Sequence, residues 1–172
     1  MQNLFSYPLK LEDMSSSTQK FELNADEKEL KYIAEVMKVP AIKKFSAELN
    51  VKLYKKEHLV EVKGVVDADV EQVSVISLEN FVKPYHNEFA LKFDTKMTLS
   101  ELKELDFEYD DELLDILDNG QIDLASIAME HLALVLDDFP RKDGEEFSFQ
   151  SEFDEETTEA NNPFAVLKKL KK

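Results

Sequence analysis

Residues 45–78 read FSAELNVKLYKKEHLVEVKGVVDADVEQVSVISL. Phe45, Ala47, Leu49, Val51 and Leu53 alternate with polar residues. Beyond a polar break at Lys56 and Glu57, Val60, Val62, Val66, Ala68 and Val70 continue the alternation on the other parity. Successive strand side chains point to opposite faces, so a period of two marks a strand with one wet face. Two such runs joined by a short polar turn predict an antiparallel β-hairpin.

The flanking sequence extends this unit. FELNADEKELKYIAEVMKVP (21–40) predicts a strand leading into a helix. Asn24 or Asp26 can cap that helix, Leu30, Ile33, Ala34 and Met37 recur at helical spacing, and Pro40 stops it. EFALKF (88–93) predicts a further strand with Phe89, Leu91 and Phe93 on one face. Lysines in these strands fall on outward positions, where they keep the sheet soluble and its edges unpaired. IDLASIAMEHLALVLDDFP (122–140) predicts a helix near 123–138 packed across the sheet, with Asp123 as N-cap, Leu124, Ile127, Ala128, His131, Leu134 and Val135 as its apolar stripe, and Pro140 as its end.

Charge is distributed unevenly. The 172 residues include 37 acids and 21 bases, a formal net charge of -16. Ten acids fall between Glu101 and Asp123 against one base, Lys103, a stretch that predicts short helices or irregular structure. Eight acids and no base fall between Asp143 and Glu159, which predicts a mobile acidic linker. The chain then closes on NNPFAVLKKLKK (161–172). Asn162 can cap a short helix, and Pro163 suits its first position, where a missing N–H costs nothing. Phe164, Leu167 and Leu170 share one face, while Lys168, Lys169, Lys171 and Lys172 complement the negative end of the helix dipole. Residues 1–162 hold 17 bases against 37 acids, so the segment is a cation on an anionic chain.

The composition excludes several chemistries. There is no cysteine, hence no disulfide, thiolate metal site or cysteine nucleophile, and this suits a reducing compartment. The first residues, MQNLFSYPLKLEDM, have no secretory pattern, and no stretch reaches the ~20 apolar residues of a membrane helix. A cytoplasmic protein without a membrane span is expected. His58, His86 and His131 share no metal-ligand spacing, and His131 reads as a core histidine of the apolar stripe. DNGQIDLAS (118–126) fails as a calcium loop. With Gly120 at the invariant glycine, Leu117 would stand at the third position and Ser126 at the last, where oxygen ligands and a bidentate Glu are required. No phosphate loop or hydrolase motif occurs. No catalytic residue, metal or cofactor is therefore assigned.

Three segments carry a resemblance. NNPFAVLKKLKK resembles the C-terminal signature of the YceD-like family, the large ribosomal RNA subunit accumulation proteins. SVISLENFVKPYHNEFALKF (74–93) is similar to the family segment in which a strand meets a Cys-x-x-Cys pair before another strand. GQIDLASIAMEHLALVLDDFPRKDGEEF (120–147) is similar to the family helix that begins Ile-Asp-Leu and ends before a proline. Order and spacing agree over about residues 40–172, and ADEKELKYIAEVMKVPAIKKFSAEL (25–49) is most similar to the alphaproteobacterial branch. Ser74 and Ser77 stand where such relatives carry cysteines, and Phe147 lies near a third. Hydroxyls and a phenyl ring cannot replace thiolates on zinc. The resemblance therefore implies that Val75, Leu78, Phe81 and Phe147 brace by apolar packing what zinc braces elsewhere.

Together these readings give an α+β domain over 1–142, an acidic linker over 143–160 and a basic amphipathic segment over 161–172. Its antiparallel sheet is compatible with an open or a barrel-like form. The resemblance implies a non-enzymatic factor for accumulation of large-subunit (23S) ribosomal RNA and for large-subunit assembly. The acidity points to a basic ribosomal protein or the large-subunit precursor as partner, with RNA contacted indirectly. Asn162, Pro163, Phe164, Leu167, Lys168, Lys169 and Leu170 are the expected partner-binding residues. The same segment could instead fold back on the acidic body. The alternative function is a metal-dependent hydrolase or nuclease using Asp110, Asp111 and Asp115, which would have to converge on ions ~4 Å apart.

Overall fold

The computed structural model describes residues 4–96, 115–117 and 120–146. The chain divides into two units, Met1–Lys142 and Asp143–Lys172. The first is an α+β body.

Its centre is the predicted hairpin. Strands β3 (Ala41–Tyr54) and β4 (Leu59–Val73) pair antiparallel. Leu53 faces Val60, Val51 faces Val62, Ala47 faces Val66 and Phe45 faces Ala68, and all eight side chains are buried. Cross-strand apolar pairs of this kind stabilise each rung of a sheet. Near its start β3 carries a bulge between Ile42 and Lys44. The extra residue shifts the parity, so even-numbered Ile42 is buried beside odd-numbered Phe45.

Strand β2 (Gln19–Asn24) adds to β3, and β5 (Asn80–Asp94) adds to β4, both antiparallel. The two-residue β6 (Asp115–Ile116) pairs parallel with the end of β5. The order β2-β3-β4-β5-β6 is open, so among the described residues the sheet does not close into a barrel. The EFALKF segment is the second half of the longer β5, and Phe89, Leu91 and Phe93 line its core side. A second sheet pairs β1 (Pro8–Lys10) with β7 (Gln121–Asp123).

Helix α1 (Glu27–Met37) begins with a capping box. The Asp26 carboxylate accepts the Lys28 and Glu29 N–H groups at 2.8 and 2.9 Å, and Glu29 accepts the Asp26 N–H at 2.7 Å. Three N–H groups at the helix start are thereby satisfied. Lys38 then enters the left-handed region at φ 56°, and Pro40 follows the helix end. Ile33 and Ala34 are buried, with Leu30 and Met37 packed beside them.

Helix α2 (Leu124–Ala133) packs on β4 and β5, with Asp123 as its N-cap. It is shorter than the expected 123–138 and ends seven residues before Pro140. Its last turn tightens instead, with Val135 N–H bonded to Leu132 and Leu136 N–H to Ala133. The stripe is also corrected. Leu124, Ile127 and Ala128 are buried as expected, but Leu134 is 70% exposed and Leu132 is fully buried. Leu134 shares a face with Ile127, seven residues back, but stands past the last helical residue, Ala133, where the turn tightens. Leu132 shares a face with the buried Ala125 and Ala128.

Candidate partner-binding site

Val73 ends β4, and the chain turns tightly before Asn80. Ser74, one of the two cysteine-like positions, is fully buried. Its hydroxyl accepts the N–H groups of Ile76 and Ser77 at 3.1 and 3.2 Å. Its own N–H reaches Glu79 O, and its carbonyl accepts from Leu78 N–H, each at 3.0 Å. Leu78 is held at φ 60°. A buried hydroxyl must be satisfied, and here it doubles as the internal brace of the turn. The expectation of apolar bracing fails for two of its four residues, since Val75 is 48% and Leu78 76% exposed. A polar knot holds the turn, leaving both side chains free to face outward. Phe147 lies outside the described residues.

The segment after α2 is tied to the same end of the sheet. Val75 N–H donates to Pro140 O at 2.9 Å. Lys83 Nζ lies 2.5 Å from Asp137 Oδ2, and Lys142 is paired with Glu79. The Tyr85 hydroxyl donates to Gln72 Oε1 at 2.6 Å and lies 3.2 Å from Asp137 Oδ2. Burial pushes the Tyr85 phenol upward, and the neighbouring Asp137 carboxylate adds to the rise. The Lys83 ammonium, against partial desolvation, holds the Asp137 carboxyl below its usual range. This lattice is satisfied. Among the described residues no buried side-chain polar atom lacks a partner.

Between the two fixed segments lies an open cavity of about 540 Å³. Its walls come from the end of α1 (Val36, Met37, Lys38), the following Val39 and Pro40, the end of β4 (Gln72, Val73) and the end of α2 with its sequel (Ala133, Leu136, Asp137, Asp138, Pro140). Val36 is 49%, Val73 39% and Phe139 78% exposed. Val75, Leu78 and Phe139 do not line the cavity; they stand exposed on the two segments that the Val75–Pro140 hydrogen bond joins. Sequence periodicity did not locate the cavity, because its three walls are far apart in the chain and each departs from the regular pattern just where it contributes.

The expected partner-binding residues Asn162, Pro163, Phe164, Leu167, Lys168, Lys169 and Leu170 lie outside the described residues, as do Asp110 and Asp111 and the linker beyond residue 146. Asp115 falls in β6. Among the described residues no group of three or more His, Asp or Glu side chains is placed to hold a metal ion, and no helix is long and apolar enough to cross a membrane. His131 is half-buried and stacked on Phe89. His86 stands on the open sheet face, where the Asp67 carboxylate at 2.7 Å, aided by Glu88, raises its pKa. The acidity is segregated too. Residues 1–96 hold 16 acids and 14 bases, whereas residues 97–172 hold 21 acids and 7 bases.

No curated protein and no solved structure matches the chain. A family model described as large ribosomal RNA subunit accumulation protein YceD matches residues 62–171. The match runs from near the start of β4, through the Ser74 turn, β5 and α2, to the basic C-terminal segment, and covers well over half of the chain. The chain therefore belongs to the YceD family.

Proposed function

We propose that this chain is a non-enzymatic accessory factor for accumulation of 23S ribosomal RNA and assembly of the large subunit, acting through protein or ribonucleoprotein binding. The family match over residues 62–171 carries the reading. The distribution of charge supports the mode of action. Twenty-one acids beyond residue 96 oppose a direct embrace of phosphates and suit a basic ribosomal protein or the precursor particle that carries it. The cation at the end of the chain supplies a second contact of opposite sign. Phe164, Leu167 and Leu170 would enter an apolar groove of the partner, while Lys168 and Lys169 stay at its rim.

The test is depletion of the protein in cells, followed by the ratio of large- to small-subunit ribosomal RNA. The ratio should fall and recover with the full chain. An unchanged ratio under complete depletion contradicts the proposal.

A further inference from the structure

We infer that the cavity between the ends of α1, β4 and α2 is a docking site for an uncharged, apolar segment of a partner polypeptide, held through one of its peptide groups. This deepens the protein-binding reading given above and rests on it.

The floor of the cavity offers a donor. Gln72 faces the core at the end of β4 and is only 4% exposed, yet it lines the cavity. Its side-chain carbonyl accepts the Tyr85 hydroxyl at 2.6 Å. The same hydroxyl lies 3.2 Å from Asp137 Oδ2 and receives the Asp137 N–H. Its proton belongs on the nearer oxygen, so the Gln72 amide nitrogen is turned away from it. That nitrogen has no hydrogen-bond partner among the described residues. Fully enclosed side-chain nitrogens and oxygens there are all paired, so it reaches the open cavity. A donor this deep favours an occupant that brings it an acceptor.

The α1 wall offers acceptors. Lys38 N–H bonds to the Ala34 and Glu35 carbonyls, and Val39 N–H to the Ala34 carbonyl. Pro40 has no N–H, so the Val36 carbonyl has no donor four residues on. Among the described residues neither the Val36 nor the Met37 carbonyl accepts a backbone N–H from beyond the helix, and both residues line the cavity. The lining selects no charge. Lys38 offsets Asp138, and Asp137 is held by Lys83 and faced by Arg141. Val39, Val73 and Leu136 make much of the remaining wall apolar. A donor, a pair of acceptors, balanced charge and apolar walls are the complement of a peptide group between apolar side chains. A second copy of this chain suits the site poorly, since each copy carries -16.

The experiment titrates the nitrogen-15-labelled full chain with the blocked peptide acetyl-Ala-Leu-Val-Ala-amide, read by amide NMR. Two comparison peptides carry Lys or Asp in place of the Leu. The uncharged peptide should shift the Gln72 side-chain amide and the backbone amides of Lys38, Val39 and Asp138 saturably, and bind about tenfold more tightly than either charged one. Gln72→Glu, which removes the donor, and Ala133→Trp, which adds a ring to the wall from an exposed position, should each weaken it about tenfold. Circular dichroism melts verify that the variants are folded, and Ala133→Trp decides alone if Gln72→Glu is not. A peptide that leaves the cavity resonances unmoved, charged peptides that bind as well, or folded variants that bind as wild type overturn the inference. Cavity resonances that move with protein concentration in the absence of peptide assign the face to a second copy and also overturn it. The protein-binding reading survives each of these results, because the ribosomal RNA ratio in depleted cells decides it separately.

Discussion

The ring of Phe89 lies flat on the imidazole of His131, with centroids 3.8 Å apart and planes 3° from parallel. This contact joins β5 to α2, and Asn87 reinforces it by donating to the His131 carbonyl at 2.9 Å. Opposite Phe89 in the sheet stands Gly64. A Cβ built on Gly64 would sit 2.4 Å from the Phe89 ring. The missing side chain therefore makes room for the stack.

Gly64→Ala should accordingly destabilise the protein by about 1–3 kcal/mol, the usual cost of overpacking. The denaturant midpoint measures it. Phe89→Leu in the same chain should recover part of the loss, because the clash is with the far end of the ring. Equal loss in the single and double variants would mean that the strain is not at Phe89.

Leu132 and Leu134 separate the observed helix packing from the one expected on sequence. Leu132→Ala should cost about 2–5 kcal/mol, as Leu124→Ala should, because each empties a fully buried site. Leu134→Ala should fall within about 0.5 kcal/mol of wild type, as surface changes do. Thermal or chemical unfolding of the three variants decides it.

The strands were legible because their alternation is long and both parities are filled. The cap of α1 was legible only as a choice between Asn24 and Asp26, which Glu29, at capping-box spacing from Asp26, decides. The β1–β7 pairing was not: two three-residue strands more than a hundred residues apart carry no periodic signal. Ser74 was misread for a related reason. Cysteine-like spacing suggested that apolar neighbours must replace the metal, whereas a hydroxyl turned inward can organise a turn through backbone N–H groups. The cavity was missed because its walls gather from three segments, and the residues expected to bind a partner at the C-terminus lie outside the described part.

Ser74→Ala tests that turn. Removing the hydroxyl leaves the Ile76 and Ser77 N–H groups without this acceptor in a partly buried setting, a loss of about 1–3 kcal/mol. Ser77→Ala should be much milder, since Ser77 takes part through its backbone. If the two substitutions cost the same, Ser74 is not the brace.

Asp123 predicts a pH dependence. Burial disfavours its charged form, but the Ser6 hydroxyl at 2.6 Å and the N–H groups of Tyr7, Ser126 and Ala125 outweigh that and hold the carboxyl below its ordinary value. A depressed folded-state pKa stabilises the protein above the unfolded value of about 3.9, and this contribution is lost as pH falls through the folded value. Asp123→Asn should therefore lose stability at neutral pH and show a shallower decline below about pH 4 than wild type. Asp123→Ala should cost about 0.5–2 kcal/mol at neutral pH through the lost cap alone. Parallel acid limbs for wild type and Asp123→Asn would contradict the assignment.

Co-sedimentation with immature large subunits tests the proposed function most directly. Extract from cells expressing the full chain, or the chain truncated before Pro163, is resolved on a density gradient, and each protein is verified as folded by circular dichroism. The full chain should travel with large-subunit precursors, and the truncated chain should stay at the top of the gradient. Phe164→Ala with Leu167→Ala should reproduce most of that loss, whereas neutralising Lys168, Lys169, Lys171 and Lys172 should weaken association chiefly at low salt, where charge is least screened. A full chain that never enters the precursor fractions, or a truncated chain that enters them as fully as the intact one, would contradict the proposed mode of action.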